Sequence, residues 1–386
     1  MSLSLMKWID QYLGAMLCLA LYLVERLRRG RRRRGELRKI LFIKLWGMGS
    51  ILNAVPAFAA AKWGLRHTQH AIRDTEVHLL TFKRNAQICA LLNAVDGVLL
   101  LDNPTPSVAF LLNLLQLLRR LRAERFDAVI DLEFFARFTT MLTYLSDAPY
   151  RVGFDSPKLW RSALYTHVAP FRLHAHITDC FLDLACCLGA QPAAPVPALK
   201  HCPIARLPNC PAPLVCLNPN ASEVSHLSRW MPENFARLAD ELIDRYGVTV
   251  GLTGAPNEVA FVESVRRMAR HADDIIVFAG RTSIPEFIAL LKECRVFITN
   301  DSGPMHLAAV LGVPTIALFG PDTPTRYGPR GAQHTIFYKP PPCSPCYNFY
   351  NNKSNRCRHA VYQYCLKSIT VEEVAEAAGK YLKREL

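Results

Sequence analysis

Short apolar runs alternate with amphipathic stretches along most of this 386-residue chain. The apolar runs that suit strands lie at 40–45, 77–82, 97–101, 128–132, 214–218, 248–253, 275–279, 295–299 and 315–319. The stretches with helical spacing lie near 50–63, 85–93, 107–123, 134–146, 232–246, 257–270, 284–293 and 303–311. Alternation of this kind predicts βαβ units, in which right-handed crossover helices join parallel strands.

A proline-rich segment at 191–213 interrupts the alternation and divides the chain into two series. Proline can continue neither a helix nor a central strand, so we expect a linker there. The sequence thus predicts two doubly wound α/β domains, at 38–190 and 214–368. A final helix is expected within 369–386, where Thr370 opens a capping box.

The composition is that of a globular protein with room for two cores. Hydrophobic residues make up 51% of the chain and charged residues 20%, which excludes a disordered polypeptide. The formal net charge is +14, and residues 26–39 contribute +8 of it through nine basic residues and one acidic residue. Neither base-stacking aromatic residues nor a nucleic-acid-binding module accompanies this run, so we expect no nucleic-acid partner.

An uninterrupted apolar stretch at 12–24 precedes the basic run. As a helix, this stretch would reach about 20 Å, which is short of the ~30 Å hydrocarbon core of a bilayer. Residues 1–37 are therefore interpreted as a membrane-associated helix that lies in or dips into the bilayer, with the polybasic segment on anionic headgroups. A helix packed on the protein's own surface is the alternative.

Thirteen cysteines are present, and most of them lie singly within apolar runs, as expected for reduced thiols. The last four have the spacing C-x2-C-x10-C-x7-C and are Cys343, Cys346, Cys357 and Cys365. A Cys-x2-Cys pair is a suitable half-site for zinc. A structural zinc site, reduced thiols and a local disulfide are all compatible with this pattern, and His359 could replace one ligand.

The strongest local signal is a strand, a tight turn, a helix and a second strand at 295–320. Ser302 can cap the helix, Gly303 removes a side chain from the turn, and Pro304 suits the first helical turn. The free backbone N–H groups and the positive end of the helix dipole would then face a phosphate group, with Asp301 orienting the turn. An ordinary connection without a ligand is the alternative.

The same turn and helix closely resemble the donor-site segment of the ADP-heptose:lipopolysaccharide heptosyltransferase family; the matching residues, 300–321, are NDSGPMHLAAVLGVPTIALFGP. The family's first strand, glycine turn and helix are similar to ILFIKLWGMGSILNAVPAF at 40–58. Further similarities lie at 217–242, 252–263 and 278–301. Together these segments extend the resemblance over residues 38–380, almost the whole chain.

The resemblance implies a GT-B fold, in which two Rossmann-like domains face a cleft and a C-terminal helix can cross back onto the first domain. It also implies an inverting, metal-independent glycosyltransferase that uses a nucleotide-sugar donor such as ADP-heptose and requires no cofactor for catalysis. The acceptor would be a glycolipid of the lipopolysaccharide core, reached from the cytoplasmic side of the bacterial inner membrane. A different donor sugar or acceptor, and a homologue that binds nucleotide sugar without turnover, are the alternatives.

For the donor, the resemblance points to the start of the helix and to loops that follow strands of the second domain. The residues expected at the diphosphate are Arg229, Ser302, Gly303, Pro304, Met305 and His306. Those expected near the nucleoside are Thr253, Gly254, Glu258 and Arg281. The structural alternatives are a packing role for His306, a solvated surface charge for Arg229 and a helix-start carboxylate for Glu258.

The catalytic base is where this sequence departs from the family. Known members carry aspartate after the first glycine turn, whereas this chain has Gly-Met-Gly-Ser at 47–50. Serine cannot act as a base unaided, so Ser50 could instead cap the helix and help hold phosphate or acceptor. Glu133, after the fourth strand, is the expected substitute, with Asp131 in support; a helix-start role is the alternative for Glu133. The cations considered for a phosphorylated acceptor are Lys44, Arg137, Arg151 and Lys158.

Overall fold

The structure is a computed structural model that describes residues 3–27, 35–67, 75–102, 108–134, 136–155, 161–193, 198–200, 213–221, 226–331, 333–346 and 356–383. The chain forms two compact units, Met1–His201 and Cys202–Leu386. The division between them falls within the proline-rich segment at 191–213, most of which lies outside the described residues.

Unit 1 is an α/β unit whose described part contains one six-stranded parallel sheet. Its strands are β1 (Lys39–Ile43), β2 (Glu76–Phe82), β3 (Gly97–Leu101), β4 (Ala128–Asp131), β5 (Tyr150–Phe154) and β6 (His167–Ala169). Its helices are α1 (Leu3–Leu27), α2 (Met48–Asn53), α3 (Val55–Trp63), α4 (Ala86–Ala90), α5 (Val108–Ala123), α6 (Arg137–Leu145) and α7 (Ile177–Cys186).

Unit 2 repeats this architecture, again with a six-stranded parallel sheet in its described part. Its strands are β7 (Leu214–Asn218), β8 (Thr249–Leu252), β9 (Ile275–Val277), β10 (Cys294–Asn300), β11 (Thr315–Phe319) and β12 (His334–Tyr338). Its helices are α8 (Pro232–Tyr246), α9 (Val259–Met268), α10 (Ile284–Glu293), α11 (Gly303–Val310), α12 (Pro324–Tyr327), α13 (Tyr364–Lys367) and α14 (Val371–Leu382).

Both sheets have the same strand order. It is β3-β2-β1-β4-β5-β6 in unit 1 and β9-β8-β7-β10-β11-β12 in unit 2. In each sheet the second and third strands add successively on one side of the first strand. The fourth strand pairs with the first on its other side, and the fifth and sixth strands continue from there. This is the Rossmann order, and ligands of such sheets bind beyond the carboxyl ends of the strands where the direction reverses. That point lies between β1 and β4 in unit 1 and between β7 and β10 in unit 2.

The predicted pair of doubly wound α/β domains is therefore confirmed. Central strands such as β7 and β11 are buried at every position, because helices cover both faces of a parallel sheet. Helix α14 begins with the predicted capping box, in which Thr370 accepts from the Glu373 amide and the Glu373 carboxylate accepts from the Thr370 amide. This helix packs against α8 in the core of unit 2.

Several elements, among them the short helices α12 and α13, lack a clear signal in the sequence pattern. Strand β5 contains a charged residue, Arg151, and β6 has only three residues. Strand β12 is an edge strand whose residues are partly exposed, so its apolar run is interrupted. Helix α7 also escaped prediction, although its buried face packs on α3. Short or edge elements carry too few apolar positions for a period to be recognised.

Helix α1 extends beyond the apolar stretch at 12–24 on both sides, and one side of it packs on unit 1. Cys18 is buried in a small cluster with Tyr144 of α6 and with Leu164. The Asp10 carboxylate accepts hydrogen bonds from the first two amides of α6, Arg137 N at 3.1 Å and Phe138 N at 3.0 Å. A carboxylate at this position caps the helix and complements its dipole.

The other side of α1 is exposed and largely apolar. Its exposed side chains include Tyr12, Leu13, Met16 and Leu23. Among the described residues, none of the helices combines the length and apolar character that crossing a bilayer would require. Packing on the protein's own surface, the alternative considered for residues 1–37, thus accounts for the inner side of this helix only.

Candidate functional site

The switch point of unit 2 is occupied by a buried polar network. The parallel register of β7 and β10 sets Asn218 opposite Thr299. The Asn218 side-chain amide donates to Thr299 Oγ1 at 3.1 Å and to Ser302 Oγ at 3.2 Å, and the two hydroxyls lie 3.0 Å apart. These contacts join β10, which precedes the predicted phosphate turn, to the neighbouring strand β7. They therefore fix the turn to the edge of the sheet.

The start of α11 is not capped by its own N-cap side chain. Ser302 was predicted to cap this helix, but its hydroxyl is directed to Asn218 and Thr299 and makes no capping hydrogen bond. Gly303 and Pro304 form the first helical positions and are partly exposed. Because no side chain caps this helix, its N-terminal end presents backbone N–H groups, such as that of Gly303, and the positive end of its dipole to an external anion.

Three asparagines and the backbone bind the neighbouring loops together. The Asn300 amide donates to the carbonyls of Pro219 and Asn220 at 3.0 and 3.1 Å, and Asn300 Oδ1 accepts from Trp230 N at 2.9 Å. The Asn220 amide donates to Asn218 Oδ1 and to the Thr253 carbonyl. Asn220 Oδ1 is buried and has no hydrogen-bond partner among the described residues.

Arg229 lies in the loop that this network fixes, immediately before Trp230. Its guanidinium carbon lies 4.6 Å from the centroid of the Phe261 ring, a cation–π distance, and the residue is only partly exposed. Its Nε is buried and has no hydrogen-bond partner in the described part of the chain. The structure therefore does not support a freely solvated surface charge at this position.

A distant residue holds the carbonyls of the Arg229 loop. The side-chain amide of Gln363 donates to the carbonyls of His226, Leu227 and Arg229 at 3.4, 3.1 and 3.2 Å. Gln363 itself has a left-handed backbone with φ of 55°. Nothing in the sequence pattern pointed to this residue, because it lies more than 130 positions away in the late cysteine-containing segment.

The residues predicted near the nucleoside follow β8 and β9. Thr253 is buried and donates to the Leu217 carbonyl, while a side chain at Gly254 would lie 2.8 Å from the Asn220 amide nitrogen. Glu258 Oε2 accepts from Ala255 N at 2.8 Å, so this oxygen has the helix-start role considered as the alternative. Arg281 follows β9 and is exposed.

Within α11, two predicted donor residues are buried. The Met305 side chain is fully buried and packs with Ala317 and Phe319, so only its backbone amide could face a phosphate. His306 is 6% exposed. Burial favours the packing role that was the alternative for His306, and both side chains anchor the helix on the sheet.

Two acidic residues face the same region from neighbouring strands. Asp301 follows β10, and Asp322 follows β11. Burial raises the pKa of both carboxyl groups, and the nearby charge of Asp322 raises the pKa of Asp301 further. Asp322 Oδ1 also accepts from Thr323 N, and Arg326 opposes the rise of its pKa. The pair thus favours retention of a proton beside the start of α11.

The switch point of unit 1 contains a carboxylate fixed by three donors. Glu133 Oε1 accepts from Lys44 Nζ and Leu45 N, both at 2.8 Å, and from Trp46 N at 3.2 Å. Glu133 follows β4, and its three donors follow β1. Lys44, one of the cations considered for the acceptor, is buried in this ion pair. Glu133 is instead held rigidly at the carboxyl edge of the sheet.

Asp131 lies beneath Glu133 and is fully buried. Its Oδ1 accepts from the Glu133 amide at 3.0 Å. Its Oδ2 accepts from Tyr165 at 2.7 Å and from Arg161 Nη2 at 3.2 Å. With no exposed surface, Asp131 cannot touch a substrate, and its contact with the Glu133 amide suits the supporting role expected for it beside Glu133. The sequence had not singled out Arg161 or Tyr165.

The glycine turn at 47–50 has a strained backbone that only glycine adopts easily. Gly47 has φ of 79° and is itself the N-cap residue of α2. Ser50 lies in the first turn of α2 and is partly exposed, so the capping role considered for it is wrong. Trp46 lies beside this turn, with the Arg84 guanidinium 4.7 Å from its ring centroid. The turn therefore offers a small platform with an aromatic ring and a cation.

Two further cations considered for the acceptor are buried in structural contacts. Arg137 donates to the Asp10 carbonyl, and Arg151 forms a 2.8 Å ion pair with Glu25 and donates to the Leu164 carbonyl. Both side chains thus have little surface left for an acceptor. Lys158 lies outside the described residues.

The other three late cysteines lie close enough to Cys365 to act on its thiol electrostatically. Burial raises the pKa of the Cys365 thiol to about 11, and the other three cysteines contribute to the rise. Gln363 N donates to Cys357 Sγ at 3.3 Å. Within the described ranges, however, no group of three or more histidine, cysteine, aspartate or glutamate residues has an arrangement ready to hold a metal ion.

Comparison with known proteins identifies the family of this chain. Residues 114–356 match the model of glycosyltransferase family 9 (heptosyltransferase). Lipooligosaccharide heptosyltransferase 2 of Haemophilus ducreyi is 34% identical over 128 residues, which are 32% of this chain and 36% of that protein. The matched part thus spans about a third of the length of this curated relative.

Two solved structures share the fold along nearly their whole length. A family 9 glycosyl transferase from Veillonella parvula has a TM-score of 0.70 and 22% identity, covering 92% of this chain and 99% of that chain. E. coli heptosyltransferase WaaC, solved with ADP, has a TM-score of 0.66 and 19% identity, covering 89% of this chain and 99% of that chain. From the family match, which covers more than half of its residues, this chain belongs to glycosyltransferase family 9, the heptosyltransferases.

Proposed function

We propose that this protein is an inverting heptosyltransferase. It transfers heptose from ADP-heptose, or a closely related sugar nucleotide, to a glycolipid acceptor of the lipopolysaccharide core. The observation that carries the proposal is the uncapped start of α11 at the switch point of unit 2, in a chain of this family. An anion-binding helix start with adjacent buried amides suits a sugar diphosphate.

The donor diphosphate would be held by backbone amides of α11 and by Arg229. The Arg229 guanidinium is supported by the Phe261 ring, and its loop is held by Asn300 and Gln363. A planar guanidinium can hold two phosphate oxygens through two parallel N–H bonds in a fixed geometry, whereas a lysine ammonium acts as a point charge. These groups would neutralise the leaving ADP without a divalent metal ion.

The nucleoside would lie along the ends of β7 and β8. The unpartnered Asn220 Oδ1 can accept a hydrogen bond from a ribose hydroxyl or the adenine amino group. Glu258 stands at the start of α9, where its carboxylate would accept from a ribose hydroxyl. Gly254 keeps the backbone close to this region, since a larger residue would collide with Asn220.

In the reaction, the acceptor hydroxyl oxygen forms a bond to the anomeric carbon as the bond from that carbon to the β-phosphate oxygen breaks. ADP leaves with the electron pair. We assign the base that accepts the hydroxyl proton to Glu133, acting through Oε2, because Oε1 is committed to Lys44 and two backbone amides. Asp131 positions Glu133 by accepting from its amide.

The acceptor would approach unit 1 from the cytoplasmic face of the inner membrane. The exposed apolar side of α1, followed by the basic run at 26–39, suits a peripheral contact with anionic headgroups. Trp46 and Arg84 supply an aromatic surface and a cation for a phosphorylated sugar. A membrane-bound enzyme would meet a lipid-linked acceptor at high local concentration.

The late cysteines are proposed to hold a structural zinc ion. The four thiols have the donor chemistry that zinc prefers, and zinc binding would draw them together, since the described residues contain no ready-made metal site. Zinc bound there would fix the fold of this segment and, through Gln363, the Arg229 loop. It would take no part in bond making.

The test is transfer of heptose from ADP-heptose to extracted lipopolysaccharide core lacking outer heptose, followed by mass spectrometry. Glu133→Gln should lower kcat by about 10²- to 10⁴-fold, the range expected for loss of a general base, while ADP binding is retained. Glu36→Gln is the matched control, because Glu36 is an exposed carboxylate of the same unit.

Two results would contradict the proposal. If a panel of sugar nucleotides showed transfer of another sugar but not of heptose, the donor would not be ADP-heptose. Tight ADP-heptose binding without transfer to any glycolipid, together with no effect of Glu133→Gln, would favour a homologue that binds nucleotide sugar without turnover.

A further inference from the structure

Helix α5 carries an exposed apolar stripe that no part of the proposed reaction uses. Val108, Leu111, Leu112 and Leu115 are 75, 55, 54 and 44% exposed. Their spacing places them on one face of the helix. The opposite face buries Leu117 and Leu121 against the sheet of unit 1. We call these four exposed residues the α5 stripe.

The α5 stripe runs into positive charge at the end of the helix. Arg119 continues the same face one turn after Leu115 and is exposed. Arg120 and Arg122 follow, and α5 contains no acidic residue. Arg122 also donates to the Leu145 carbonyl of α6, which fixes this end of α5 on its neighbour. Apolar residues that grade into arginines are characteristic of helices that lie at a membrane interface.

The sheet topology puts the α5 stripe on the same side of unit 1 as α1. Helix α5 connects β3 to β4, and α6 connects β4 to β5, so both crossovers move in the same direction across the sheet. Right-handed crossovers then place α5 and α6 on the same face. Helix α1 packs on α6 and exposes its own apolar side. One layer of unit 1 thus presents two exposed apolar helix faces.

We propose that this layer is a membrane-docking face, in which the α5 stripe inserts into the interface of an anionic bilayer beside α1. The charge favours a lipid surface over a protein partner, since the arginines of α5 and the basic run after α1 complement anionic headgroups. The inference extends the proposed membrane location, which rests on residues 1–37 alone. Docking can be measured without turnover, so it is tested separately from the proposed reaction.

The experiment is sedimentation of the full chain with vesicles of phosphatidylethanolamine containing phosphatidylglycerol. The double variant Leu112→Ser and Leu115→Ser removes apolar surface without a change of charge. We expect its partition coefficient to fall about tenfold, because two leucine side chains no longer enter the interface. The matched control is Ala109→Ser with Gln116→Ser, which changes two exposed residues to one side of the stripe and should change partition less than about twofold.

Further measurements distinguish docking on a lipid surface from contact between two copies of the chain. Arg119→Gln should weaken binding to anionic vesicles and leave binding to zwitterionic vesicles unchanged. Unaltered circular dichroism and ADP binding would show that the variants fold. Equal partition of the wild-type chain and the stripe variant would overturn the proposal. A wild-type dimer that the stripe variant converts to monomer, with unchanged vesicle binding, would instead identify the stripe as an interface between two copies.

Discussion

At the scale of single residues, Asp301 and Asp322 would influence how strongly the proposed donor site attracts an anion. Both follow neighbouring strands at the start of α11, and burial raises the pKa of each. A carboxyl group that keeps its proton places less negative charge beside a diphosphate. The same burial lowers stability as the pH rises, because the unfolded chain ionises these groups at their lower, ordinary pKa.

ADP-heptose should therefore bind more weakly as the pH rises past the raised pKa of Asp301. Asp322→Asn removes the neighbouring charge, lowers the pKa of Asp301 and moves the loss of affinity to lower pH. Calorimetric titrations over about pH 6 to 9 would measure both effects, with the exposed Asp273→Asn as the control. Affinity that is independent of pH over this range would show that the pair does not face the donor.

The residues of the turn could be predicted from the sequence, but the asparagine side chains that hold the turn in place could not. Gly303 and Pro304 indicate a helix that begins with an accessible N-terminus, because few other residues suit those positions. Asn218 and Asn300 look like ordinary residues at strand ends. Their role depends on the register that sets Asn218 opposite Thr299, and one strand alone carries no information about register.

At the scale of elements, the segment between β12 and α14 supports the loop that carries Arg229. Gln363 bridges the two, since its side chain holds three carbonyls of the loop and its amide donates to Cys357. A substitution of one of these cysteines should therefore change the affinity for the donor, although none of the cysteines is proposed to contact it.

Purified protein is expected to contain about one zinc ion per chain, as a four-thiolate site would hold. Cys357→Ser should abolish this metal content and weaken ADP binding, because the support of the Arg229 loop is loosened. Elemental analysis and calorimetry measure the two effects. Cys186→Ser is the control, since Cys186 is an exposed cysteine of unit 1. Metal-free wild-type protein with full ADP affinity would contradict the expectation.

The helices and strands with strong periods were predicted within a few residues, and the weak ones were not. Helices α8 and α10 and strands β7 and β11 begin and end where the pattern placed them. The edge strand β12 was missed because its partly exposed residues do not form an apolar run. Helix α1 was recognised as apolar, yet its contact with α6 depends on Asp10, a residue outside the apolar stretch.

At the scale of the whole molecule, two units of the same topology allow donor and acceptor to be handled by separate sheets. ADP alone should slow hydrogen exchange in unit 2, at the loop after β7 and at the start of α11. At a hundredfold excess over Kd the protection should approach about 2.7 kcal/mol. Mass-resolved hydrogen exchange would measure it, with adenosine as the control that lacks the diphosphate.

The positions of the protected amides would also show whether this assignment of donor and acceptor to separate units is wrong. If ADP protected only the edge of β1 and β4 in unit 1, the nucleotide would bind unit 1, and the proposed donor site in unit 2 would be wrong. Equal protection by adenosine and ADP would remove the start of α11 from the diphosphate site. The sequence predicted the two units from their alternating pattern, but it could not reveal that both have the same strand order.

The carboxylate of Asp10 has a practical consequence for anyone who expresses this enzyme. Removing an apolar leader is a common way to improve yield, and residues 1–27 would be the obvious segment to delete. Such a truncation would take away the cap of α6, whose first residues follow the loop that bears Glu133. A shortened preparation that purifies well but turns over slowly would then report on the missing cap, and not on the chemistry of the native enzyme.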